Sequence, residues 1–127
     1  MEEPTQSELI AIVDNESTVL TSLARLFGSM GLRVVTFQSG GDFLRAAEQT
    51  SFDCMLVDLG LPGVTGLDVI REVGARLPCI AISGRLDDDI DGAARRAGAC
   101  AYLTKPIDAS AFMASVQQCI RAWPSAS

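Results

Sequence analysis

The stretch Cys54-Met55-Leu56-Val57-Asp58-Leu59-Gly60-Leu61-Pro62 decides how the rest of the chain is read. Four apolar residues run without alternation, too few for a helix, and stop at a carboxylate followed by a glycine and a proline. A strand covered on both faces has that signature, because a half-exposed strand alternates apolar and polar positions. Four further runs repeat it: Leu9-Ile10-Ala11-Ile12-Val13, Val34-Val35-Thr36-Phe37, Cys79-Ile80-Ala81-Ile82 and Cys100-Ala101-Tyr102-Leu103. All five read as central parallel strands. Between them apolar residues fall at helical spacing, as at Val19, Leu20, Leu23, Leu26, Phe27 and Met30, or at Phe112, Val116, Cys119, Ile120 and Trp123.

The punctuation agrees with this division. Gly31 follows the first helix, Ser39 is placed to cap the second, Pro78 precedes the fourth strand, Gly98 closes the fourth helix and Pro124 stops the last. Asp87, Asp88, Asp89 and Asp91 put carboxylates on the first turn of the fourth helix and Arg95-Arg96 on its last, which suits the helix dipole. That helix turns only Ala93, Ala94 and Ala97 inward, so it buries little area and is expected to be mobile. Alternating strands and helices predict an α/β, doubly wound, five-stranded parallel sheet in the order 2-1-3-4-5 with five helices. The whole chain, 1–127, reads as one domain with its core at about 8–122, and 124–127 as a tail or the start of a linker.

Composition bounds the function. With 127 residues, 48% hydrophobic and 20% charged, the chain has material for one apolar core. A net charge of -6 gives no basic footprint, so this domain is expected to bind neither nucleic acid nor an anionic membrane surface. No apolar run approaches the roughly 20 residues of a membrane span, and Met1-Glu2-Glu3-Pro4 does not look like a signal peptide. A cytoplasmic location is the expectation. The absence of histidine excludes imidazole bases, Ser-His triads and His-ligated zinc. Cys54, Cys79, Cys100 and Cys119 form no C-x-x-C pair, so neither zinc nor a disulfide framework is expected, only small buried hydrophobes.

In such a sheet ligands bind beyond the carboxyl ends of the strands, where the first and third part. Asp14 ends the first strand, with Asn15 and Glu16 after it; Asp58 ends the third, Ser83 the fourth, and Lys105, the only lysine, lies just past the fifth. Taken singly, Asp14 or Asn15 would pass for a helix cap. Together the group suits phosphoryl transfer to a carboxylate: Asp58 as nucleophile, hard oxygen ligands for Mg²⁺, and a lysine and a hydroxyl to hold phosphoryl oxygens.

Val13-Asp14-Asn15, Asp58-Leu59-Gly60-Leu61-Pro62 with Gly66, Ser83-Gly84 and Lys105-Pro106 resemble the receiver domain of bacterial two-component response regulators, over roughly residues 8–122. The resemblance implies a flavodoxin-like fold and a phosphoacceptor switch. A sensor histidine kinase or phosphotransfer protein would donate a phosphoryl group from its phosphohistidine to Asp58. Mg²⁺ would be held by Asp14, Asn15, Asp58 and the carbonyl of Gly60. Ser83, Gly84 and Lys105 would bind the phosphate, across a cis Lys105-Pro106 bond, and Ser83 and Tyr102 would act as the switch. The surface of the fourth helix, fifth strand and fifth helix would then change partners: a downstream protein, a fused output domain or a second copy.

One position departs from the family, which has two adjacent acids where this chain has Asp14-Asn15. The amide oxygen of Asn15 is still a ligand, but one formal charge is lost and weaker Mg²⁺ binding is expected. Glu16 is a candidate to compensate, although its side chain is expected to leave in a different direction from that of residue 15. A pseudo-receiver that binds partners without phosphorylation is the alternative. A small phosphatase with an Asp nucleophile is a lesser one, because residue 60, where a leaving-group acid would stand, is glycine. Gly60, Gly63 and Gly66 read as a turn beside Asp58 rather than a dinucleotide loop. Arg85 flanks the phosphate position, Arg95-Arg96 reads as a solvated helix end, and Trp123 as a core anchor.

Overall fold

In this computed structural model, residues 8–85 and 87–122 are described. The strands are β1 (Leu9–Val13), β2 (Arg33–Phe37), β3 (Cys54–Asp58), β4 (Cys79–Ser83) and β5 (Ala101–Thr104). Helices α1 (Ser17–Ser29), α2 (Gly40–Ala47), α3 (Gly66–Val73), α4 (Asp88–Ala97) and α5 (Ala109–Ala122) alternate with them. All strand pairs are parallel, in the order β2-β1-β3-β4-β5. The readings of Trp123, of Pro124 and the tail, and of the first four residues lie outside the described residues.

The apolar runs fill two layers because side chains alternate across a strand. Ala11, Val13, Met55, Val57 and Ala81 face Phe43, Val69, Ile70 and Val73 of α2 and α3, with Ala94 of α4. Ile10, Ile12, Cys54, Leu56, Ile80 and Ile82 face Leu20, Leu23 and Phe27 of α1 and Phe112, Val116 and Cys119 of α5. The rings of Phe27 and Phe112 stack at 3.8 Å, joining α1 to α5. Each Ile, Leu or Val removed from water here contributes about 1.5–3 kcal/mol. β3 and β4 are buried at every residue and β1 at every residue but Leu9.

The two edge strands correct the expectation that all five are covered on both faces. β2 has three exposed residues and β5 none fully buried, because each pairs on one side only and the helices wrap the sheet's middle. The apolar run of β2 marks an edge strand with Val35 outward.

The caps follow local chemistry. Ser39 accepts from the Asp42 amide at the start of α2, and Thr65 and Asp68 form a reciprocal capping box at α3. Asp87 accepts from the amides of Asp89 and Ile90 to open α4, which ends at Gly98 with φ +127°, a conformation costly for any other residue. As expected, α4 buries only Ala94.

The cysteine reading is right for two residues and wrong for two. Cys54 and Cys79 are free and buried in the core; burial pushes both thiols up, that of Cys79 to about 12. Cys100 and Cys119 instead form a disulfide, with Cα atoms 6.0 Å apart. Their 19-residue separation carries no pairing signal, since the crossover that lays α5 over β5 alone brings them within bridging distance.

Candidate functional site

The ends of β1 and β3 deliver two carboxylates to one place. Asp14 follows β1, its amide donating to the Phe37 carbonyl at 3.0 Å, and is 0% exposed. Its Oδ1 accepts from the Glu16 amide at 2.9 Å, a tight bend that turns the chain into α1. Its Oδ2 is, among the described residues, a buried side-chain oxygen with no hydrogen bond of ordinary geometry. Asp58, the last residue of β3, is 7% exposed, and its Oδ1 accepts from the Gly60 amide at 2.9 Å. Gly66 is packed against this turn so closely that a Cβ would lie 2.4 Å from the Asp58 carbonyl oxygen and 2.8 Å from Leu59 Cα. The spacing Gly60, Gly63, Gly66 therefore builds the turn beside Asp58, as read from the sequence.

Lys105 binds the two carboxylates together. Its amide donates to the Ser83 carbonyl at 2.8 Å, fixing the backbone beyond β5 next to the end of β4, and the Lys105-Pro106 bond is cis. Nζ lies 2.9 Å from Asp14 Oδ2, 3.2 Å from Asp58 Oδ2 and 3.6 Å from Glu16 Oε1. Burial alone would lower this ammonium's pKa, but pairing with Asp14 and Asp58 outweighs it and holds the pKa above the ordinary lysine value. Three carboxylates around one ammonium leave two negative charges uncompensated.

Ser83 ends β4, its Oγ accepting from the Arg85 amide at 3.2 Å. Nothing stands within 4 Å of where a Cβ on Gly84 would be. The Tyr102 hydroxyl donates to the Arg85 carbonyl, so the β5 aromatic ties down the loop that carries Ser83 into α4. Arg85 itself reaches Asp87 at 3.2 Å, on the rim. A cleft lined by Leu59, Gly60, Leu67, Ser83 and Ile90 opens between α3 and α4 beside the carboxylates. Arg95 pairs with Asp91 at 2.6 Å, and both it and Arg96 are exposed, as a solvated helix end would be.

The structure brings Asp14, Asp58, Ser83, Gly60, Gly84 and Lys105 to one edge of the sheet. Asn15 lies there too but is exposed, and no hydrogen bond ties its side chain to the cluster among the described residues. Glu16, singled out in the sequence as a candidate to compensate for Asn15, lies at this edge as well. It occupies the N-cap of α1, and its side chain accepts nothing from the helix. It turns back toward Lys105 because the Asp14 bend holds its backbone there. A glutamate at an N-cap, where Ser, Thr, Asp or Asn is favoured, was the available signal.

Chemically the arrangement offers a buried carboxylate next to a cleft, an anionic oxygen set suited to a hard cation, and a fixed positive charge. A family model described as the response regulator receiver domain matches residues 10–117. The chain is 35% identical over 122 residues to the response regulator protein TmoT of Ectopseudomonas mendocina, covering 94% of this chain and 56% of that protein. It is 34% identical over 115 residues to the transcriptional regulatory protein KdpE of Mycobacterium tuberculosis, covering 89% and 51%. The chain thus spans about half the length of the curated relatives it matches. Among solved structures, FixJ-N superposes with a TM-score of 0.86 at 27% identity, covering 95% of this chain and 99% of that one. The receiver domain of a sensor histidine kinase from Pseudomonas aeruginosa PAO1, solved with a magnesium ion coordinated in its active-site cleft, superposes at 0.82 with 26% identity, covering 91% and 99%. The flavodoxin-like strand order holds.

Proposed function

The chain belongs to the response regulator receiver domain family, and on that premise we propose that it is a phosphoacceptor switch whose phosphorylated residue is Asp58. The observation that carries this reading is the placement of the Asp58 carboxylate. It sits at the carboxyl edge of the sheet next to Leu59 and Gly60, which line a cleft between α3 and α4, with Oδ1 held by the Gly60 amide and Oδ2 3.2 Å from the only lysine.

The partner supplies the phosphohistidine, which suits a chain without histidine. An Asp58 oxygen forms a bond to phosphorus, the phosphorus–nitrogen bond breaks, and the imidazole leaves with the electron pair and is neutralised by a proton from water. Lys105 and the Ser83 hydroxyl hold the transferred oxygens, and the open space at Gly84 leaves room for them. Water later hydrolyses the acyl phosphate slowly at the same site, so the domain is a signalling module and not a turnover enzyme.

The residues fit Mg²⁺. Asp14 Oδ2 is buried against the Lys105 ammonium with no hydrogen bond of ordinary geometry, and the three carboxylates and one ammonium leave a net charge of -2. Among the described residues no three acidic, Cys or His side chains are set closely enough to chelate a metal by themselves. Mg²⁺ does not need such a cage, since it keeps several waters and takes one or two carboxylates. Asp14, Asp58, the Gly60 carbonyl and Asn15 would hold it, and the ion would neutralise the incoming phosphoryl oxygens.

The surface of α4, β5 and α5 is the natural output face, because Tyr102 links the Ser83 loop to it. Its partners would be a downstream protein, an output domain in a longer chain, or a second copy. No described helix is long and apolar enough to cross a membrane; the kinase would be met in the cytoplasm.

The test is intact mass after incubation with a small phosphodonor. A single adduct that needs Mg²⁺ and is lost in Asp58→Asn is expected. The second reading, a pseudo-receiver, rests on Asn15. No adduct at high Mg²⁺, restored by Asn15→Asp, would replace the first reading with the second.

A further inference from the structure

We propose that Glu16 supplies the carboxylate charge that residue 15 does not, and so completes the cation site of this chain. The inference rests on the phosphoacceptor reading and deepens it at the metal.

Three observations converge. Glu16 Oε1 lies 3.6 Å from Lys105 Nζ, on the ammonium that also meets Asp14 Oδ2 and Asp58 Oδ2. Asp14 Oδ2, fully buried, meets that ammonium at 2.9 Å but accepts no hydrogen bond of ordinary geometry, and one ammonium faces three carboxylates, so the cluster still favours a further positive charge. Glu16 also does no structural work with its side chain. It is 59% exposed and, at the N-cap of α1, accepts no helix amide. A residue that forgoes its local role and turns toward a charged centre breaks a folding preference at a functional site.

Charge counting shows what it achieves. With Asn15 neutral, Asp14, Asp58 and Lys105 alone sum to -1, too little to balance a divalent cation. Glu16 brings the sum to -2, the value that an acid at position 15 would give. Its backbone amide bond to Asp14 Oδ1, at 2.9 Å, keeps that carboxylate at the rim whatever the solvent-exposed Asn15 does. Glu16 acts there through its charge; the inner oxygens remain those of Asp14 and Asp58. The weakened Mg²⁺ site expected from Asn15 is therefore largely restored one residue later.

Isothermal calorimetry of Mg²⁺ into the 127-residue chain tests this without phosphotransfer. Glu16→Gln, nearly isosteric and exposed, is expected to weaken binding about tenfold, the scale of removing one nearby charge from a partly hydrated divalent site. Asn15→Asp added to Glu16→Gln is expected to return the affinity to that of the parent. Circular dichroism confirms that each variant is folded. An affinity in Glu16→Gln within twofold of the parent, with Asp14→Asn abolishing binding, would overturn the inference and leave the phosphoacceptor reading intact. A parent chain that binds no Mg²⁺ would overturn both.

Discussion

Asp14 and Asp58 stand at the ends of β1 and β3, central strands without an exposed residue, while Ser83 leads into a loop tied down by one tyrosine hydroxyl and a helix that buries Ala94 alone. The first region is crowded, its carboxylates gathered on one lysine; the second is open and lightly held. On the phosphoacceptor reading, phosphoryl transfer needs oxygens fixed to fractions of an ångström, so the proposed nucleophile belongs on the rigid strands. A signal needs two conformations close in free energy, so the responsive side belongs where little packing is lost by moving. The division begins beyond the strand ends, since β4 is as buried as β3 and only the segment after Ser83 and α4 are lightly packed.

Two glycines break or sharpen that contrast most strongly. At Gly66 a methyl group would meet backbone atoms of Asp58 and Leu59 at 2.4 and 2.8 Å, and no side chain can move aside. Gly66→Ala is expected to cost about 3 kcal/mol by urea denaturation, the upper end of overpacking penalties, and to lower phosphoryl acceptance by displacing Asp58. Gly84→Ala meets nothing within 4 Å and is expected to change stability by less than about 0.5 kcal/mol. Equal effects at the two sites would remove the distinction between a packed and an open half.

Lys105 probes the rigid half by charge. Lys105→Met leaves the Asp14 and Asp58 carboxylates facing each other, and about 2 kcal/mol of stability is expected to go, discounted because Lys105 is 22% exposed. Removing the competing ammonium also strengthens Mg²⁺ binding, about tenfold, so the ion restores much of the lost stability. Because the folded pKa of Lys105 is raised, its contribution is complete below 10.5 and is lost as pH climbs through the folded value. The parent's stability margin over Lys105→Met is therefore flat from about pH 6 to 9 and shrinks only above 10.5. A margin that shrank near neutrality would mean that the lysine does not hold these carboxylates.

Much of this was legible in the sequence, for reasons particular residues make plain. Unbroken apolar runs ending in Asp14, Asp58 and Ser83 give both the strands and the side of the sheet on which their last residues emerge, since parallel strands all point their carboxyl ends one way. Ser39 and Gly98 mark helix ends through local hydrogen bonding and φ alone, and so are readable locally. Long-range packing was not. The Cys100–Cys119 bond depends on how α5 crosses β5, the exposure of β2 on its place at the edge, and the direction of Glu16 on a bend made by the Asp14 carboxylate. Each is a fact about neighbours in space, which periodicity does not encode.

The removal of a single hydroxyl separates the two halves most cleanly. Tyr102→Phe keeps the ring in its half-buried place and removes only the hydroxyl that donates to the Arg85 carbonyl. One partly exposed hydrogen bond is worth about 0.5–1 kcal/mol, so global stability should barely move. Locally, Arg85 loses its tie to β5, and the amides of α4 should exchange with solvent several-fold faster while those of β1 and β3 do not. Mg²⁺ affinity and the mass of the phosphoryl adduct should be unchanged, because neither depends on this hydroxyl. Faster exchange in β3, or a loss of Mg²⁺ binding, would show that the hydroxyl braces the carboxylate half as well, and that the two halves move as one.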